Sequence, residues 1–385
     1  MTDMIEKKKI VLIGPVYPYK GGISHYTGLM CRALRKKYDV TMVSYKFQYP
    51  KLLYKKEQRD YSNDNFKIED TDYWIHTANP FNWMLVARKI RKLNPDMVIV
   101  QWWHPYFAPC YFMLCKFLKK TKILFVCHNV FPHERFPMDR FLAKTVLRQG
   151  NCYIVQSKTD AEDLQTIVER PIYKQTVHPT YNVFKLENIT KDEARKRLDL
   201  ESDKKILLFF GFVREYKGLK YLIQAMPEVV KQVEGTELLI AGDFADADEK
   251  QRYLDLIREC GIQEYVKVYD GYIPDREVEK FFAACNLVVL PYISATQSGI
   301  VQIAFGFEKP VVVTDVGGLP DVVEDGKTGY VVEAENSARL AEAIVDYFHR
   351  DMEKEFTESV KQEAYRFSWD RMVEVIEMLQ AASDI

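Results

Sequence analysis

Three stretches of the chain combine cations, glycines and small hydroxylic residues in an order suited to holding an anion. In LLFFGFVREYKG an apolar run ends at Gly211, and Arg214 and Lys217 follow just ahead of Gly218. Two cations at a strand end, before a helix N-terminus, would form a diphosphate clamp, although a solvated turn has the same spacing. In PYISATQSGIVQIAFG, Ser298, Gly299 and Ile300 open an apolar segment and would present backbone amides to a phosphate. Gln302, in the first turn, would reach a ribose or sugar hydroxyl. In GPVYPYKGGISHYT, Gly21 and Gly22 stand between a strand and a helix, where glycine permits close approach of an anion to the backbone. This stretch is not G-x-G-x-x-G, so no dinucleotide site is indicated. His128, in FVCHNVFPHE, follows another apolar run, and a histidine at a strand end is either functional or simply hydrogen-bonded in place. His104 and His133 are weaker candidates, and Trp102 or Trp103 as a sugar platform competes with core packing. Asp246 and Asp248 form a D-x-D whose polar surroundings indicate a solvated loop, so no metal is expected.

The elements that must position these residues are legible as repeated short apolar runs. KIVLIG (9–14), VTMVS (40–44), DMVIVQ (96–101), KILFVC (122–127) and CYIVQ (152–156) read as strands in the first half. Helical spacing fills 22–37, 81–93, 107–119 and 159–168. The second half restarts with KILLFFG (205–211), ELLIAG (237–242), VKVYDG (266–271), LVVLPY (287–292), PVVVTD (310–315) and GYVVE (329–333). Continuous β-branched runs mark strands buried on both faces, hence parallel sheets covered by helices. The expected fold is α/β: two Rossmann-like, doubly wound domains facing a cleft, each with its ligand edge at the carboxyl ends of its strands. The boundaries expected are 1–183, 184–368, and a last helix from 369 that could pack back on the first domain. A linker is read near 175–202.

Composition narrows the function classes. A chain of 385 residues, 47% hydrophobic and 28% charged, has material for two cores and is no disordered tail or disulfide-stapled module. No apolar run reaches the length of a membrane span. The lysines before KIVLIG faintly suggest a secretion signal, but Gly14 and Pro15 break the run, which reads instead as a buried first strand. The seven cysteines are scattered, with no C-x-x-C pair, and fit a reducing cytoplasm. Charge is uneven: residues 1–180 carry 29 Lys+Arg against 16 Asp+Glu, whereas the whole chain has a net charge of −1. Basic clusters sit at Lys51, Lys55, Lys56 and Arg59, at Arg88, Lys89, Arg91 and Lys92, and at Lys116, Lys119, Lys120 and Lys122. They are either solvated helix faces or a surface for an anionic membrane or acidic acceptor. No nucleic-acid motif accompanies them.

The run PYISATQSG followed by KPVVVTDVGGLPDVVEDGKTGYVV resembles the C-terminal signature of family-4 glycosyltransferases. GGISHYT resembles that family's glycine-rich N-terminal loop, and FFGFVREYKG its phosphate clamp. The resemblance covers essentially the whole chain. It implies a GT-B fold, a nucleotide-diphosphate sugar as donor (a UDP- or GDP-sugar first), retention of configuration, and no cofactor. Lys217 matches the family lysine, and Arg214 stands two positions beyond the clamp arginine's place at Phe212. It also implies that His128 faces the donor sugar. The paired glutamates of the family fall on Ala295 and Ile303, or on Thr296 and Ala304, leaving Gln297 and Gln302 as nearby polar candidates. The acceptor expected is a glycan or lipid-linked hydroxyl, with the inner membrane face as a candidate partner of the basic half. A binding protein that has lost turnover, a sugar-nucleotide epimerase and, more remotely, a two-domain dehydrogenase are the competing readings.

Overall fold

A computed structural model describes residues 7–54, 57–61, 64–132, 138–295 and 297–382. The chain forms two compact units, Met1–Val177 with Ser368–Ile385, and His178–Phe367.

The first unit is built on seven parallel strands: β1 (Lys9–Ile13), β2 (Asp39–Phe47), β3 (Thr71–His76), β4 (Met97–Trp102), β5 (Lys122–Cys127), β6 (Cys152–Val155) and β7 (Tyr173–Gln175). Their order is β3-β2-β1-β4-β5-β6-β7, so the direction of winding reverses between β1 and β4. Every residue of β4 and β6 is buried, as strands covered on both faces must be. The covering helices are α1 (Gly22–Arg35), α2 (Pro80–Leu93), α3 (Ala108–Phe117), α4 (Asp139–Leu147) and α5 (Lys158–Ile167). Local chemistry starts two of them. Asn79 accepts the Asn82 amide with Pro80 at the first helical position, and Ser157 accepts the Asp160 amide.

The second unit has six parallel strands: β8 (Lys205–Phe210), β9 (Thr236–Gly242), β10 (Val266–Asp270), β11 (Leu287–Leu290), β12 (Val311–Thr314) and β13 (Gly329–Val332). Their order, β10-β9-β8-β11-β12-β13, places the reversal between β8 and β11. Ligands of open α/β sheets bind beyond the carboxyl ends of the strands at such a reversal. Around the sheet run α6 (Lys191–Arg197), α7 (Leu219–Gln232), α8 (Ala247–Glu259), α9 (Val278–Ala284), α10 (Gly299–Gly306), α11 (Leu319–Val322), α12 (Ser337–His349) and α13 (Glu353–Gln362). The last helix, α14 (Trp369–Ala382), belongs to the first unit, where Trp369 meets Tyr26 of α1 edge-on with ring centroids 5.0 Å apart.

The expectation of two doubly wound parallel-sheet domains is met, and the expected strands agree with those observed to within a few residues. Three elements of the first unit have no counterpart in the sequence reading. β3 and β7 are edge strands with half-exposed, polar-rich sequences, TDYWIH and YKQ, and so lack the continuous apolar run of a buried strand. α4 begins at Asp139, directly after a proline-containing stretch that masks its start. The segment read as linker is partly structured: α6 opens with a reciprocal cap between Thr190 and Glu193.

A buried carboxylate anchors that segment. Glu279 of α9 accepts the amides of Leu186, Glu187 and Ile189 at 2.9, 2.8 and 3.1 Å. Removing it would orphan three backbone donors. Glu279→Ala should therefore lower unfolding free energy by about 3 kcal/mol in urea titration. A loss below about 1 kcal/mol would show that the segment is held by other contacts.

Candidate functional site

The FVREYKG and PYISATQSG stretches converge at the reversal between β8 and β11, and backbone proximity is what joins them. The Ile293 amide donates to the Tyr216 carbonyl at 2.8 Å, tying the loop after β11 to the loop after β8. Gly218 makes the approach feasible. Its φ is +65°, and a Cβ there would overlap the Pro291 carbonyl oxygen and stand 3.0 Å from its carbon. Gly242, ending β9, is equally constrained, since a Cβ would stand 2.8 Å from the Gly211 carbonyl carbon.

This junction sets Lys217 over an aromatic face. Its Nζ lies 3.8 Å from the centroid of the Tyr292 ring, with Tyr216 farther off at 5.4 Å. Among the described residues no carboxylate pairs with it. Burial therefore acts on the ammonium almost unopposed and depresses its pKa from 10.5 to about 8. That displacement corresponds to about 3 kcal/mol of disfavoured charge. An anion brought to about 4 Å would return about 4 kcal/mol at an effective dielectric of about 20, enough to outweigh it. The arrangement is thus poised to take a negative ligand.

Arg214 is only partly available. Its guanidinium donates to the Val213 carbonyl at 2.6 Å and the Asp243 carbonyl at 3.3 Å, and stacks near Phe212 at 5.5 Å. These bonds fix its head without neutralising it.

Ser298 serves as the N-cap of α10, its Oγ accepting the Val301 amide at 3.4 Å and lying 3.2 Å from the Tyr292 hydroxyl. Tyr292 thereby links the cation and the helix start: its ring carries Lys217 and its hydroxyl meets the cap. Among the described residues the Gly299 and Ile300 amides have no backbone acceptor, as first-turn donors do not. Gly299 also packs near Tyr181, whose hydroxyl is 3.2 Å from His178 Nε2. Burial lowers the His178 pKa to about 4, so this imidazole is neutral. Gln297 is half-buried in the loop before Ser298.

Gln302 is fully enclosed, and among the described residues neither its Oε1 nor its Nε2 has a hydrogen-bond partner. An unsatisfied buried amide costs about 1–3 kcal/mol, so it stands out in a helix otherwise made of apolar residues. Ala295, Ile303 and Ala304, three of the positions on which paired glutamates would fall, are buried and apolar. Thr296 lies outside the described residues, as do His133, Lys55 and Lys56.

The remaining candidates belong to the first unit. Gly21, with φ +101°, precedes α1, and Gly22 is its first residue. His128 follows β5 and is buried, with Nε2 2.7 Å from Gln101 Oε1 and the Tyr26 ring edge-on at 4.6 Å. Several weaker candidates prove to be structural. Trp102 is fully buried and donates to the Val130 carbonyl, and Trp103 donates to the Tyr49 hydroxyl at 2.9 Å; both are packed in the core. His104 accepts the Tyr106 amide through Nδ1, capping a short helical turn. The D-x-D is not a loop: Asp246 caps α8 by accepting the Glu249 amide at 2.7 Å, and Asp248 lies in its first turn. The residues missed from sequence are Tyr292 and Pro291. The P-Y pair ahead of SATQSG was their only trace.

Family models for group 1 glycosyl transferases match residues 190–367, and those for glycosyltransferase family 4 match residues 20–180. The chain belongs to the family-4 glycosyltransferases. Two solved structures show that the fold is GT-B. The Anabaena protein HepE, in complex with UDP and glucose, has a TM-score of 0.75 at 16% identity, covering 98% of this chain and all of that one. A glycosyltransferase from Rickettsia africae has a TM-score of 0.74 at 18% identity, covering 98% of each chain. Among curated relatives, a D-inositol 3-phosphate glycosyltransferase of Acidothermus cellulolyticus is 30% identical over 48% of this chain and 42% of its own length. An uncharacterised glycosyltransferase of Methanocaldococcus jannaschii is 25% identical over 58% of each. The match thus spans about half the length of these relatives.

Gly218→Ala tests the junction. The added methyl group would force the two loops apart and strain a left-handed backbone, costing about 3 kcal/mol or more in urea unfolding. An alanine variant within about 0.5 kcal/mol of the parent would contradict the close approach.

Proposed function

We propose that this chain transfers a sugar from a nucleotide-diphosphate donor to a hydroxyl of a glycan or lipid-linked acceptor, with retention of configuration. The observation that carries the reading is Lys217, an ammonium with no carboxylate partner among the described residues, at the sheet reversal of a family-4 chain. A diphosphate supplies the missing charge. Arg214 and the Gly299 and Ile300 amides, with Ser298 and Gln297 beside them, would complete its cradle. UDP bound to HepE, a neighbour of the same fold, supports a uridine or similar nucleotide here. The unpartnered amide of Gln302 is the candidate for a donor hydroxyl. For Gly21, Gly22 and His128 the proposed share in donor recognition rests on the family resemblance.

In the transfer step the bond between the anomeric carbon and the diphosphate oxygen breaks as the acceptor oxygen bonds that carbon from the same face. The acceptor proton passes to the departing diphosphate. Lys217 and the amides take the charge developing on that group. Preorganised donors of this kind are worth about 100- to 1000-fold each. Since the chain itself provides the counter-charge, the reading needs no metal or other cofactor. We place the acceptor at the anionic inner face of a membrane, as the basic first unit suggests. A second reading, donor binding without turnover, is favoured by the apolar residues at the paired-glutamate positions. It differs in a single outcome: normal nucleotide affinity and no product.

The test is thermal unfolding with UDP, GDP, ADP and CMP in the presence of a chelator. One nucleotide at about 100 times its dissociation constant should stabilise by about 2.7 kcal/mol. Lys217→Ala should abolish that stabilisation and lower transfer by about two to three orders of magnitude. A flat response to all four nucleotides, or a folded variant losing less than about fivefold, would overturn the reading.

A further inference from the structure

The first unit carries a surface that donor chemistry does not use. Between Asp72 and Glu134 the chain holds eight Lys/Arg residues and one carboxylate, Asp96, which accepts the Lys9 amide at 2.7 Å. The fold gathers part of this charge on one face, because α2 packs beside α3. Trp83, Val86, Ala87 and Ile90 bury the inner side of α2. The outer side is left with Phe81, Met84 and Leu85 towards its start and Arg88, Arg91 and Lys92 towards its end. Phe81 is 75% exposed and Leu85 61%. Positions 81, 85, 88 and 92 recur at three- and four-residue intervals, so they form a single stripe. Beside that stripe Phe117, ending α3, closes a groove of about 480 Å³ with Met84, Arg88, Arg91 and Lys92.

Two features separate this face from an ordinary solvated helix. Among the described residues none of Arg88, Arg91 and Lys92 has a carboxylate partner, whereas Lys36 and Lys37 of the same unit pair with Asp370 and Glu377 at 3.0 Å. Large apolar side chains also stand exposed on the same stripe, where they gain nothing from water. Cations beside aliphatic and aromatic groups match the boundary between lipid phosphates and acyl chains. Nucleic acid would use the cations but not Met84 or Leu85, which have no base to stack on. No described helix is long and apolar enough to cross a membrane.

We propose that the α2–α3 face docks on an anionic bilayer. Arg88, Arg91 and Lys92 take lipid phosphates while Phe81 and Leu85 enter the headgroup–acyl boundary. This deepens the membrane-face reading above and rests on it; sugar transfer itself does not depend on it.

Flotation of the full chain with phosphatidylcholine vesicles, with and without phosphatidylglycerol, tests the assignment. Binding should require phosphatidylglycerol and weaken as salt rises from about 0.05 to about 0.5 M. R88Q/R91Q/K92Q should lose roughly 100-fold in affinity, since each cation near the surface is worth about 1 kcal/mol. F81S/L85S should also bind more weakly, with both variants unfolding at the parental temperature. K36Q/K37Q, which also lowers net charge, should bind as the parent does. A parent that ignores phosphatidylglycerol would overturn the membrane reading and the face together. Parental binding by R88Q/R91Q/K92Q, or an equal loss in K36Q/K37Q, would overturn the face alone.

Discussion

An ammonium group set over an aromatic ring, with no carboxylate partner among the described residues, is held there against its own hydration, and the surrounding backbone has to supply the restraint. In the second unit that restraint is the contact between the loops after β8 and β11. Gly218 lets the Pro291 carbonyl approach, the Ile293 amide ties itself to Tyr216, and Lys217 is left above Tyr292. Tyr292 then reaches Ser298 at the head of α10. One close approach of backbone thus places a cation, an aromatic face and a helix N-terminus in sequence at the point where the sheet reverses.

The two units share a winding order but differ in what their strand ends carry. In the second, β8 and β11 end in charged and amide-rich loops. In the first, β5 ends at a histidine bonded to Gln101, and Arg88, Arg91 and Lys92 lie on the covering helix α2 instead. The asymmetry of charge between the halves lies mainly in the carboxylates: residues 1–180 carry 29 Lys+Arg and 16 Asp+Glu, residues 181–385 carry 25 and 39.

Much of this is legible in the amino-acid sequence. Continuous apolar runs identify buried parallel strands because both faces are covered, and eleven runs located the two sheets. Edge strands β3 and β7 escaped because one side meets solvent and the pattern dissolves. The motif residues were legible as types, since glycine, lysine and a small hydroxyl at strand ends have few other uses. Their environments were not. Nothing in FVREYKG says that Lys217 lies over a ring about 75 residues away, and nothing in GIVQIAFG says that the Gln302 amide is enclosed with no partner among the described residues. The D-x-D misled for the converse reason: a helix cap and a loop look alike when the helix that follows is polar, as α8 is.

The central claim is that Lys217 is a half-buried cation awaiting an anion, and its ionisation can be followed directly. NMR titration of the selectively labelled lysine should give a pKa of about 8 in the free protein, because burial favours the neutral amine. Below that pH the ammonium is charged and attracts a diphosphate; above it the attraction fades, so nucleotide affinity should fall as pH rises past 8. Binding favours the charged form and should therefore move the pKa upward, towards or beyond 10.5. A free lysine already titrating near 10.5, or a depressed one that does not respond to a bound nucleoside diphosphate, would contradict the account.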